Sequence, residues 1–163
     1  MAAAVEGKAW VFGDNIDTDV IIPGPYLSIP DPAEMARHAF EPIEPGFARR
    51  VEPGDIVVGG RNFGCGSSRE HAALVLKQLG VGAVVVESCA RIFFRNALNQ
   101  GLPVLEAPGI SQAVQPGQRL RVDLAAGVVH NLDTGRRVAV TPMPDFMRAL
   151  LEAGGLVAYV QRL

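Results

Sequence analysis

Arg61-Asn62-Phe63-Gly64-Cys65-Gly66-Ser67-Ser68-Arg69-Glu70-His71 is a glycine-rich turn that runs into two serines, an arginine and a helical segment. Upstream, residues 55–59 form an apolar, valine-containing run that reads as a buried strand. Downstream, Ala73, Leu74, Leu76 and Leu79 fall on one side of a helix over residues 70–79, with Gly80 as its stop. Ala83-Val84-Val85-Val86 follows, continuously apolar as a strand covered on both faces would be. A second helix over 90–98 and a short strand over 102–105 extend the order to β-α-β-α-β. The fold class is α/β.

The turn is also the chemical centre of the chain. A helix starting near Ser67 or Ser68 would point its unpaired N–H groups and the positive end of its dipole at whatever fills the turn, which favours an anion. Arg69 adds a planar fork of donors suited to holding a carboxylate at two points. A small carboxylic acid is the expected guest. Ser67 to Glu70 fits a capping box as well, with Ser67 at the N-cap and Glu70 three residues on. A cap leaves the second serine, the arginine and the glycines at 60, 64 and 66 unexplained. The turn has no Walker lysine and no third glycine at the dinucleotide spacing, so nucleotide binding is weakly supported.

The flanks of this core differ from it. Residues 8–12 alternate into a short strand, and residues 14–30 form a long, proline-punctuated loop. Prolines at 30, 32, 42, 45 and 53 break the next stretch and leave one short helix over 33–39. The distal third reads as short antiparallel strands at 119–124, 127–131 and 137–140, a helix over 144–153, and a last strand over 156–160.

At 163 residues and 48% apolar content, the whole of 1–163 is expected to form a single domain. The net charge of -2 and the lack of a basic run argue against nucleic acid or an anionic membrane as partners. No apolar stretch approaches the roughly 20 residues of a membrane span. Met1 to Lys8 lacks the apolar region of a secretory signal, so a cytoplasmic location is expected. The cysteines, Cys65 and Cys89, are read as free thiols. They form no Cys-x-x-Cys pair, so no metal or cluster is expected in this chain. Cys65, between two glycines, would be reactive if a helix dipole lowered its pKa.

The run from Gly60 to His71, followed by Ala72-Ala73, resembles the signature of the small subunits of 3-isopropylmalate dehydratase and their relatives, which correspond to the swivelling C-terminal domain of aconitase. Phe12-Gly13-Asp14-Asn15-Ile16-Asp17-Thr18-Asp19-Val20-Ile21-Ile22-Pro23 agrees with that family in order and position. So does Ser88-Cys89-Ala90-Arg91-Ile92-Phe93-Phe94-Arg95-Asn96-Ala97, followed by Asn99-Gln100-Gly101-Leu102-Pro103. The resemblance spans nearly the whole chain. It implies the three-layer β/β/α architecture of the swivelling domain.

It also implies a hydro-lyase that isomerises 2-isopropylmalate to 3-isopropylmalate in leucine biosynthesis, with this chain acting only beside a large subunit that carries a [4Fe-4S] cluster. Ser67 matches the serine that serves, as an alkoxide, to remove the proton next to a carboxylate. Helix start and Arg69 would stabilise that oxyanion. Ser68 and Arg69 match positions that bind substrate carboxylate, and Asp19 falls on the family's Thr-Asp position facing the active site. Tyr26-Leu27-Ser28-Ile29 occupies the loop that selects the substrate's extension. Relatives acting on homoaconitate place an arginine there; this chain has Ser28 and Ile29, and a buried third carboxylate without a partner would be costly. The extension is therefore expected to be apolar, as in isopropylmalate, citramalate or dimethylmalate. A rival of another class is a non-catalytic module that binds a small anion. Homo-oligomerisation of the isolated chain is left open; Arg91 and Arg95 are read as interface or structural cations, and Asn96 and Asn99 as ordering the turn that follows.

Overall fold

The computed structural model describes residues 4–163. Residues 1–3, part of the stretch read for a secretory signal, lie outside the described residues. The central strand is β1 (Ala4–Val11), which pairs on its two edges in opposite senses. On one side it runs parallel to β2 (Ile56–Gly59), and beyond that lie β3 (Ala83–Val86) and β4 (Val104–Glu106), also parallel. On the other side it runs antiparallel to β5 (Arg119–Asp123), followed by the antiparallel β6 (Val128–Asn131) and β7 (Arg137–Ala139). The order in the seven-stranded sheet is β4-β3-β2-β1-β5-β6-β7.

Strand alternation explains the layers. Val57, Val84 and Val86 face one way and bury against α4 (Glu70–Gln78) and α5 (Arg91–Gln100), where they meet Ala72, Val75, Leu76, Phe93 and Ala97. Ile56, Val58, Ala83 and Val85 face the other way and join Leu120, Val122 and Val129 of the antiparallel half. The sheet therefore curls so that its antiparallel half covers the second face of its parallel half. One continuous sheet produces the expected β/β/α order, and β2 and β3 are buried at every position, as their unbroken apolar runs require.

The proline-broken segment is more ordered than its sequence suggests. The expected loop over 14–30 contains the single helical turn α1 (Thr18–Ile21) and a 3-10 turn over Gly24–Ser28. Then come α2 (Pro32–Ala36) and α3 (Phe47–Arg50). Aromatic rings pin this region to β1 and the residue that follows it: Trp10 meets Phe47 of α3 edge-on at 5.1 Å, and Phe12 stacks on Phe40, between α2 and α3, with centroids 4.1 Å apart. Buried Asp55 is satisfied by Trp10 Nε1, Lys8 N and Glu52 N, all three donating to its carboxylate.

Between β4 and β5 lies the short α6 (Ile110–Ala113), and after β7 comes α7 (Asp145–Ala153). The last segment departs from expectation: 156–160 is not a strand but part of the helix α8 (Leu156–Gln161). The apolar run there has no period that separates strand from helix. Its form is decided by Gly154 and Gly155, both at positive φ, which turn the chain back against α5 and away from a sheet edge. A side chain at Gly155 would collide with the carbonyl of Asn99, so only glycine allows that corner.

Candidate active site

The three segments that carry the resemblance leave the C-terminal ends of β1, β2 and β3, side by side in the parallel half. In open α/β sheets this is the edge at which ligands bind. Their backbones are stitched together. Gly60 N donates to Gly13 O at 3.0 Å, Asn15 N to Arg61 O at 2.8 Å, Gly64 N to Ile16 O at 2.7 Å and Thr18 N to Cys65 O at 2.8 Å. Asp14 accepts from Arg61 N at 2.7 Å. On the other flank Phe63 N donates to Ser88 O at 3.1 Å, and Ala90 N to Phe63 O at 2.9 Å. The glycine turn lies between two neighbours that hold its backbone residue by residue.

This stitching overturns the capping box. Helix α4 begins at Glu70 with Arg69, extended at φ -133°, as its N-cap, and no side chain caps it. Ser67 lies two residues before that cap. The carbonyl of Ser67 accepts from Thr18 Oγ1 at 2.9 Å, so the chain still follows residues 16–18 at Ser67 and cannot turn into helix there. Both serine side chains are consequently left exposed. Two glycines make the turn possible. Gly64 and Gly66 sit at φ +79° and +94°; a Cβ on Gly66 would lie 2.5 Å from the Asp17 carboxylate, and one on Gly64 would strike the Phe93 ring.

Ser67, Ser68 and Arg69 form one wall of a cavity of about 330 Å³, and Arg91, Ile92 and Asn96 of α5 line it as well. Arg69 does not stand alone. Its Nη1 donates to Asp19 Oδ1 at 2.8 Å and to Ile22 O at 3.2 Å, and the same Asp19 oxygen accepts from Gly24 N at 3.0 Å. The Arg69 bond, then the Gly24 amide, hold the Asp19 carboxyl below the usual carboxylate range despite its exposure. The expected Asp19 thus sits beside the cavity as the anchor of its guanidinium.

The 26–29 loop lies apart from the cavity wall. Tyr26 donates its hydroxyl to Glu41 at 2.6 Å and stacks on His38 at 3.8 Å, while Ser28 Oγ reaches Pro25 O at 3.4 Å. The Glu41 contact, then burial, pushes the Tyr26 phenol up; Glu41 is held down by Tyr26 and then His38. Tyr26, Leu27 and Ile29 pack against the helix-side core. The link between loop and cavity is Gly24, whose amide Asp19 holds.

Neither thiol is activated. Burial and then the Asp17 carboxylate push the Cys65 thiol up, and burial with Glu106 pushes Cys89 up to about 12. The expectation of a dipole-activated Cys65 is corrected: α4 starts five residues away, and the nearest charge is negative. Among the described residues no group of three or more His, Cys, Asp and Glu side chains can hold a metal ion.

Sequence reasoning missed Thr18, which is buried and carries the bond to Ser67, and the cavity-facing role of Arg91 and Asn96. The four-residue spacing of Ile92 and Asn96 on α5 was the available signal. A larger cavity, about 360 Å³, lies between Leu124, Met143 and Arg148, and includes no residue of the three segments. Size alone does not choose the site.

The exposed serine turn, tied to both neighbouring segments, thus sits at the strand ends of a curled mixed sheet. Residues 44–109 match the family described as aconitase C-terminal domain. The chain is 53% identical to 3-isopropylmalate dehydratase small subunit 1 of Methanopyrus kandleri, over 99% of this chain and 95% of that protein. It is 49% identical to the isopropylmalate/citramalate isomerase small subunit of Methanocaldococcus jannaschii, over 99% and 96%. The crystal structure of 3-isopropylmalate dehydratase (leuD) from the latter organism superposes with a TM-score of 0.93 at 40% identity, covering 98% of this chain and 94% of that one. The chain belongs to the family of 3-isopropylmalate dehydratase small subunits.

Proposed function

We propose that this chain is the small subunit of a two-subunit hydro-lyase that interconverts 2-isopropylmalate and 3-isopropylmalate in cytoplasmic leucine biosynthesis. The whole chain acts as one swivelling domain. The observation that carries the reading is the exposed Ser67 hydroxyl on a turn whose backbone is tied on both sides, with the Arg69 guanidinium in the same cavity wall.

Ser67 Oγ, as an alkoxide, takes the proton from the carbon next to a carboxylate while the hydroxyl leaves the neighbouring carbon. Water then adds in the opposite sense, with the proton returned from Ser67. Ser68 and Arg69 hold a substrate carboxylate, and Asp19 keeps Arg69 aimed. The [4Fe-4S] cluster expected in the large subunit supplies a Lewis acid for the hydroxyl. The Tyr26-Leu27-Ser28-Ile29 loop carries no cation, which favours an apolar extension on the substrate. Citramalate is a second candidate substrate, favoured by the likeness to the isopropylmalate/citramalate isomerase small subunit.

The test is Ser67→Ala in the complex reconstituted with its large subunit. Turnover should fall by about 10³-fold or more while the subunits still associate, as for other losses of a residue acting directly on the reacting atoms. Unchanged turnover would remove Ser67 as the base.

A further inference from the structure

We propose that Thr18 is a positioning residue for the reaction at Ser67, its buried hydroxyl tying the serine's peptide to the same helical turn that aims Arg69. The inference rests on the functional reading above and adds to it a residue that acts through Ser67. Among the described residues the buried polar side chains are Thr18, Asp55 and Asn131. Asp55 accepts from Trp10 and from the amides of Lys8 and Glu52, and Asn131 donates to Ala113 O and Gln118 Oε1. Neither lines the serine cavity, and Thr18 does. The Thr18 hydroxyl is spent on Ser67 O at 2.9 Å, across 49 residues of sequence.

Both donors of Thr18 grip the turn. Its amide donates to Cys65 O at 2.8 Å and its hydroxyl to Ser67 O, so the two bonds bracket Gly66, which sits at φ +94°. Glycine has more backbone freedom than any other residue, and a serine placed just beyond it needs a second hold to keep one direction. Among the described residues the Thr18 hydroxyl is the hydrogen bond made to Ser67 itself. The neighbours of Thr18 complete the grip. The Asp17 carboxylate closes on Gly66, and Asp19 holds Arg69 at 2.8 Å. Residues 17–19 belong to one short helical turn, closed by Asp19 N donating to Asp17 Oδ1 at 2.7 Å and Ile22 N donating to Thr18 O at 2.9 Å. Base and carboxylate clamp are therefore referred to a single piece of backbone. The rate depends on that registration, because a reacting group misplaced by about 1 Å costs roughly 10²-fold.

The experiment compares two substitutions in the reconstituted complex. Thr18→Val keeps the branched shape and removes the donor. Its kcat with 2-isopropylmalate should fall roughly 10- to 100-fold while KM stays within about threefold, since Asp19 and the Ile22 carbonyl still hold the clamp. Thr18→Ser returns the hydroxyl without the methyl; it should recover most of the lost kcat even though the isolated subunit melts at a lower temperature than the unsubstituted one. A valine variant with kcat within about twofold of the unsubstituted complex overturns the proposal. So does a serine variant as slow as the valine one, which would make the methyl the important group. A valine variant that circular dichroism shows to be unfolded overturns it too, because the hydroxyl would then hold the fold and not the base. If Ser67→Ala abolishes turnover and Thr18→Val leaves it intact, the function stands and the inference falls. If Ser67→Ala leaves turnover unchanged, both fall.

Discussion

Arg69 shows how much of the site depends on single contacts. A guanidinium beside an anion site is useful only if it keeps one direction, and Asp19 and the Ile22 carbonyl supply that direction from the neighbouring loop. The bond persists to low pH because Arg69 holds the Asp19 carboxyl down. A carboxyl whose folded pKa lies below its unfolded value contributes stability above the unfolded value, near 3.9, and that contribution is lost as pH falls through the folded one. An NMR titration of the Asp19 carboxyl carbon should give a midpoint below about 3.9, and Arg69→Ala should raise it. A midpoint at or above that range in the unsubstituted protein would show that the pair does not form. The sequence reading took the two residues separately, Asp19 as facing the active site and Arg69 as a carboxylate clamp. Their bond was not legible, because 50 residues separate them and only the fold brings them together.

At the scale of elements, the helix and strand periods of the central β-α-β-α-β were readable, and β3 falls on the expected residues. Two elements were not. The capping box at Ser67 satisfied every local rule, yet the bonds from residues 16–18 outweigh a cap by holding the turn extended through Ser67. The C-terminal run has strand composition, but paired glycines at positive φ direct it into a helix. In both cases a tertiary contact overrode a local preference. Gly66→Ala tests the first. The new Cβ would meet the Asp17 carboxylate in a left-handed backbone conformation. The variant should lose roughly 1–3 kcal/mol of stability, the range for a non-glycine residue forced into such a conformation. Urea unfolding of the isolated subunit checks it; an unchanged midpoint would mean that the turn is not held as described.

For the whole molecule, the curled sheet separates two tasks. Its parallel half ends at the serine cavity, and its antiparallel half seals the opposite face of the core, so β1 joins the cavity-bearing layer to a supporting one. The layer order was legible in the motifs. The means of reaching it, one sheet folded over itself, depends on β1 pairing parallel on one edge and antiparallel on the other, and no local pattern encodes pairing sense. On the proposed function, this chain would supply a base and a carboxylate clamp to chemistry completed by a large subunit. The most direct test is anaerobic reconstitution with that subunit, iron and sulfide, following the absorbance of the unsaturated intermediate with 2-isopropylmalate, citramalate, dimethylmalate and homocitrate in parallel. Turnover of an apolar-substituted malate, with 2-isopropylmalate first, is the predicted result. Preference for homocitrate, or no turnover from a complex shown to hold an intact cluster, would contradict it.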